Sequence, residues 1–179
     1  MSALLDRFGE EAPFPLKEEF AFACADRAVR RYAVQALRTA GLEATAKILS
    51  QLAPVTDKET AKAAVKAANV ACVTAHAFAV GGDAANAPTA ARAKAASANA
   101  ADAADRAASF THDVAYVFAA SDSSADAADY AYKGDWTVER KAQDAWIRAH
   151  WEGASPITKA TLTDLDAYIA DGFLLGDDE

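Results

Sequence analysis

Apolar residues recur every three or four positions along most of this chain, the period of helices packed by one face. The first long run covers residues 17–40, after Pro13 and Pro15 close a short leader, and Gly41 ends it. A shorter run spans 42–52 and stops at Pro54. Thr56 followed by Glu59 has capping-box spacing and opens a helix that continues to about Val80 and ends at Gly81 and Gly82. The stripe of that helix is Val65, Ala68, Cys72, Ala75, His76 and Ala79.

Asn86-Ala87-Pro88 starts the longest predicted helix, which runs to about residue 120 and carries a bulky stripe of Phe110, Val114, Val117 and Phe118. Ser121 to Ser124 marks a break or cap, followed by a helix to Lys133 and a turn at Gly134. A further helix covers 137–151, Ser155-Pro156 breaks it, and Thr161 caps a last short helix through Ala170. No segment alternates with period two between turn signals, so the expected fold is all-α: a single compact, Ala-rich bundle of about five to seven antiparallel helices. The expected organisation is a leader at 1–15, the helical domain at 16–175 and an acidic tail at 176–179.

Composition sharpens this picture. Fifty of the 179 residues are alanine, crowded between residues 84 and 131. Alanine favours the helix and adds no bulk, so such helices can approach closely. Each alanine buries little area, and the core therefore needs large anchors: Phe20, Phe22, Leu37, Ile48, Leu49, Leu52, Val65, Phe78, Phe110, Val114, Val117, Phe118, Trp146, Ile147, Trp151, Leu165 and Ile169. Cys24 and Cys72 lie in apolar helical stretches and read as small buried hydrophobes of a reducing compartment. Residues 1–8 lack the pattern of a secretion signal and no stretch approaches twenty strongly apolar residues, so a cytoplasmic location without a membrane partner is expected.

The formal net charge of -8 argues against direct nucleic-acid binding, which needs clustered lysine and arginine. Its distribution is informative. Asp122, Asp126 and Asp129 fall at i, i+4 and i+7 on one predicted helical face, with Asp102, Asp105 and Asp113 in the same region. Only Arg106 and Lys133 oppose them between residues 97 and 135. Carboxylates one turn apart imitate a row of phosphates or meet a basic pocket, which makes Asp122, Asp126, Asp129 and Asp113 the candidate contacts for a protein partner with a basic surface. A solvated face, or pairing with the Lys58, Lys62, Lys66 stripe inside the bundle, is the plain alternative. The aromatic set Tyr130, Tyr132, Trp136, Trp146 and Trp151 flanks the acidic segment, as interface anchors if exposed and as core if buried.

Other chemistry is thin. Cys72 and His76 share a helical face at a spacing zinc can use, but two ligands do not make a site, and no metal or cofactor is expected. His112-Asp113 is similar to the His-Asp pair of metal phosphohydrolases, and a metal-dependent hydrolase using His76, His112 and Asp113 is the enzymatic alternative. No serine or cysteine carries a nucleophile motif, so no catalytic residue is assigned. A third reading is a self-associating subunit whose small-residue faces pack against copies of the chain, making it a homo-oligomer.

Three pieces carry a resemblance to a family: Cys24-Ala25-Asp26-Arg27, the Ala-rich middle with Thr74-Ala75-His76 and Thr111-His112, and Glu139-Arg140 with Gln143. Over about residues 20–150 the chain resembles helical immunity proteins of bacteria and phages, with Ala142 where the family pattern has tryptophan. The resemblance implies an all-helical fold and a non-enzymatic role in which a toxin, often a nuclease, is bound and neutralised. For a phage-borne member it implies action on a host defence system, including CRISPR effectors, by the same occlusion.

Overall fold

A computed structural model describes residues 3–82, 85–110 and 113–151. The helices are α1 (Ala3–Glu11), α2 (Phe14–Arg27), α3 (Val34–Thr39), α4 (Glu43–Ser50), α5 (Lys58–Gly81), α6 (Ala87–Ala108), α7 (Val114–Ala131) and α8 (Thr137–His150). A π-helical segment, Ala28–Ala33, joins α2 to α3 as one rod. No strand occurs among the described residues, and the fold is an all-α bundle. The predicted final helix at 161–170, with Leu165 and Ile169, lies outside the described residues, as does the tail at 176–179.

Chain order sets the layers. α5 folds back along α6, α6 packs on the α2–π–α3 rod and on α7, and α8 covers the far side together with α1. Ala61, Ala64, Ala68, Ala71 and Ala75 form the inner face of α5, at spacings of three and four. α6 answers with Ala90, Ala93, Ala96, Ala100, Ala103, Ala104 and Ala107, all buried. Alanine-on-alanine contact brings the two backbones close and leaves no room for a larger side chain. Ala68→Leu is therefore expected to lower stability by about 1–3 kcal/mol through overpacking. A urea titration measures it.

A second, aromatic core lies between α1, α2, α7 and α8. Phe8, Phe20, Phe110, Val117, Ile147 and Trp151 are buried there. The predicted leader contributes directly: residues Ala3–Glu11 form α1, with Leu5 and Phe8 inside this core. Gly9 lets α1 approach α7, because a Cβ at this position would fall 2.2 Å from Phe118 Cζ.

Four local expectations are corrected. The helix expected over 86–120 stops at Ala108, and a separate helix starts at Val114 and runs through Ser121 to Ser124 without a break there. Phe110 leaves the helix to stack on Phe14 at 5.1 Å, and its carbonyl accepts a 2.9 Å hydrogen bond from Lys58 Nζ. Ser121 and Ser124 do not break α7, because both are buried and their hydroxyls find partners on other helices.

The capping box belongs to Asp57 and Thr60, one position beyond the predicted pair. Asp57 Oδ1 accepts from Thr60 N at 2.8 Å, and Thr60 Oγ1 accepts from Asp57 N at 3.1 Å. These bonds hold the Asp57 carboxyl below its ordinary range. Ile48 is 59% exposed rather than a core anchor, since the inward face of the short α4 is taken by Ala46 and Leu49. Leu52, Val65, Phe78, Phe118 and Trp146 are half-buried.

Candidate partner-binding surface and the network beneath it

α7 presents its aspartates as the spacing predicts. Asp122 and Asp126 are exposed, and Asp129 is half-buried. Asp126 is held above its ordinary carboxyl range by burial, then by the charge of Asp122, with Asp129 adding and Arg140 opposing. The ridge is thus crowded enough for its members to feel one another. Asp113 does not join them. It caps the start of α7, its Oδ1 accepting from Ala115 N at 2.9 Å, nine residues before Asp122.

Two lysines of the α5 stripe pair away from the ridge, Lys58 with Glu18 at 3.7 Å and Lys62 with Glu59 at 2.8 Å, and Lys66 is exposed. The aromatic set divides. Trp151 is buried, Trp146 and Tyr132 are half-buried, and Trp136 and Tyr130 are exposed at 51% and 39%. Tyr130 directly follows Asp129 on α7, so the row has an exposed aromatic side chain on its own helix, while Trp136 precedes α8.

Beneath this surface runs a polar network that the sequence reading did not single out as a site. Glu139 on α8 is fully buried, yet each carboxylate oxygen accepts two hydrogen bonds. Arg27 grips it with two forks, Nε to Oε2 and Nη2 to Oε1, both at 2.8 Å. Tyr32 Oη donates to Oε2 at 2.6 Å, and Gln143 Nε2 donates to Oε1 at 2.8 Å. Such a bidentate, fully bonded pair is the form in which a charge can be buried.

The π segment makes the arrangement possible. Arg27 and Tyr32 are five residues apart, which on a regular α-helix turns them well away from each other. In the π segment the i→i+5 bonding brings residues five apart over one another, so both reach the same carboxylate.

From Glu139 the bonds continue outward to the ridge. Gln143 Nε2 donates to Ser121 O at 3.0 Å, Ser121 Oγ donates to Gln143 Oε1 at 2.9 Å, and Arg140 Nη1 donates to Ser121 Oγ at 2.7 Å. Arg140 Nη2 ends the chain in an ion pair with Asp122. One member of the acidic row is therefore tied to the buried Glu139 through Arg140, Ser121 and Gln143.

Ionisation states follow from burial. Burial pulls the Arg27 guanidinium down, and Glu139 more than reverses this, so Arg27 is held above its ordinary value. The Tyr32 hydroxyl is pushed up by burial and then by the Glu139 charge, and it remains a neutral donor. Burial also pushes the Cys24 thiol up, which leaves it a protonated, unreactive hydrophobe.

The other predicted chemistry is scattered. Cys72 is half-buried and His76 exposed on α5, while Asp113 is occupied as a helix cap. His112 lies outside the described residues. No group of three or more His, Cys, Asp or Glu side chains placed to hold a metal occurs among the described residues. A shallow cavity of about 220 Å³ opens between α3, the start of α6 and the end of α7, lined by Ala36, Thr39, Pro88, Thr89, Arg92, Tyr130, Ala131 and Lys133. Arg92 is turned to the end of α7, where its Nε donates to Tyr130 O at 3.2 Å.

No family model, curated protein or solved structure matches this chain. Two of the segments that carried the resemblance, Arg27 on α2 and Glu139, Arg140 and Gln143 on α8, meet in the buried network.

Proposed function

We propose that this protein is a non-enzymatic, immunity-type inhibitor that binds a basic protein partner and covers its working surface. The partner is a nucleic-acid-processing protein: a toxin nuclease or, if the chain is phage-borne, a host defence or CRISPR effector. Both classes act in the cytoplasm, which is where we place the inhibitor. A single observation carries the reading: α7 carries the Asp122, Asp126, Asp129 row together with the exposed Tyr130, and Asp122 is tied from below to a fully bonded polar network.

Aromatic anchors next to carboxylates supply both contact area and charge steering, and a rigid mount lowers the cost of ordering them on binding. Asp122 would exchange part of its pairing with Arg140 for a cation of the partner. The network would keep α7 in place while it does so.

The test is capture of a basic protein from a host lysate, followed by titration with the identified partner. The triple variant Asp122→Lys, Asp126→Lys, Asp129→Lys is expected to bind at least about 100-fold more weakly. Raising salt should slow association of the native chain, because exposed charges are screened. Falling pH should weaken binding as Asp126 takes up its proton, from a higher pH than an ordinary aspartate would require. A triple variant that keeps its helical circular dichroism and binds unchanged would sink the assignment.

A further inference from the structure

The cavity of about 220 Å³ between α3, α6 and α7 has a wall of two kinds. Ala36, Pro88, Tyr130 and Ala131 supply apolar surface. Thr39 and Thr89 turn their hydroxyls back to their own helices, donating to Gln35 O at 3.0 Å and to Asn86 O at 2.9 Å. The remaining lining residues are cations, Arg92 and Lys133, and no Asp or Glu is among them. In a chain with 26 acidic and 18 basic residues, two cations on one carboxylate-free wall are a local reversal of sign.

Neither charge is neutralised by a carboxylate among the described residues. Arg92 gives Nε to Tyr130 O at 3.2 Å and Nη2 to Asp129 O at 3.4 Å, which fixes the guanidinium at the end of α7 and leaves Nη1 free to donate. Lys133 has its backbone in the left-handed region, at φ 58°, where glycine or asparagine is the usual choice. A cation is thus held beside the cavity at a position whose backbone disfavours it. Pro88 and Thr89 belong to the first turn of α6, so the positive end of a 22-residue helix adds to the two side chains.

We propose that this cavity binds a small aryl monocarboxylate, with the ring among Ala36, Tyr130 and Ala131 and the carboxylate at Arg92 and Lys133. The volume, that of about seven waters, holds one aromatic ring and a short acid chain. Burial of the ring supplies most of the affinity, and charge-assisted hydrogen bonds fix its orientation. An inorganic anion alone leaves the apolar wall wet, and a neutral arene leaves both cations without a counter-charge. This inference does not rest on the acidic row of α7.

The full chain, isotope-labelled for amide chemical shifts, is titrated with phenylacetate at neutral pH and constant ionic strength. Saturable shifts confined to residues 36–39, 88–92 and 130–134 are expected, with a Kd of about 0.1–1 mM for a ligand of this size. Uncharged phenylacetamide and inorganic phosphate should each bind at least about fivefold more weakly. Lys133→Asn suits the left-handed backbone and should leave circular dichroism unchanged, while weakening the acid at least about fivefold and the amide hardly at all. Ala131→Leu should fill the cavity and weaken both. Equal affinity for acid and amide, phosphate binding as tightly as the acid, or shifts centred elsewhere overturns the proposal. So does a titration without saturation below about 10 mM, or a Lys133→Asn variant that binds the acid unchanged.

Discussion

Glu139→Ala is expected to lower the unfolding free energy by about 3–5 kcal/mol, because it strands a buried cation and leaves nearby donors without their acceptor. Arg27 has 15% of its side chain exposed and Tyr32 none, so water cannot replace the lost carboxylate at all four bonds. Glu139→Gln should cost nearly as much, since an amide keeps the volume but turns a donor towards Arg27 or Tyr32. The triple variant Arg27→Met, Tyr32→Phe, Glu139→Leu should recover most of the loss, because the desolvation cost vanishes with the charges. Chemical denaturation of the four proteins measures the differences. Near-native stability in Glu139→Ala alone would mean that the network contributes little.

The second large effect is expected from Phe8→Ala, at about 3–5 kcal/mol. Phe8 is fully buried, and its ring meets Phe20 at 5.1 Å, Trp151 at 5.6 Å and Trp146 at 6.3 Å. The change opens a cavity that three rigid rings cannot collapse to fill. Amide exchange should show α1 opening first, because Phe8 is the largest side chain by which this short helix is buried in the core. Equal protection of α1 in both proteins would contradict the assignment of this anchor.

Both predictions concern residues that resisted sequence reading, for different physical reasons. Helix type and most helix ends were legible, since Gly41, Pro54, Gly81-Gly82 and Gly134 punctuate strong three-four periodicity. Phe8 was hidden by its position ahead of two prolines, where nine residues carry only a short amphipathic signal. The Asp122, Asp126, Asp129 row could be read directly, as it needs only the pitch of one helix.

Glu139 could not be read in that way. Its partners Arg27 and Tyr32 lie more than one hundred residues away on the rod, and a glutamate on a polar helix ordinarily faces water. A faint signal was present: Glu139, Gln143 and Ile147 repeat every four residues, so two polar side chains share the stripe of a buried isoleucine. The π segment gave no signal at all, because its composition, Ala-Val-Arg-Arg-Tyr-Ala, suits an ordinary helix equally well.

That segment has a consequence for how the two cores are joined. The rod serves the aromatic core with Phe20 and Cys24 and the alanine core with Tyr32, Ala33 and Leu37. Its local change of winding sets the angle between those two commitments. A one-residue deletion within it would rotate the entire upstream half as a unit, so the spacing there constrains the chain even where the side chains themselves are interchangeable.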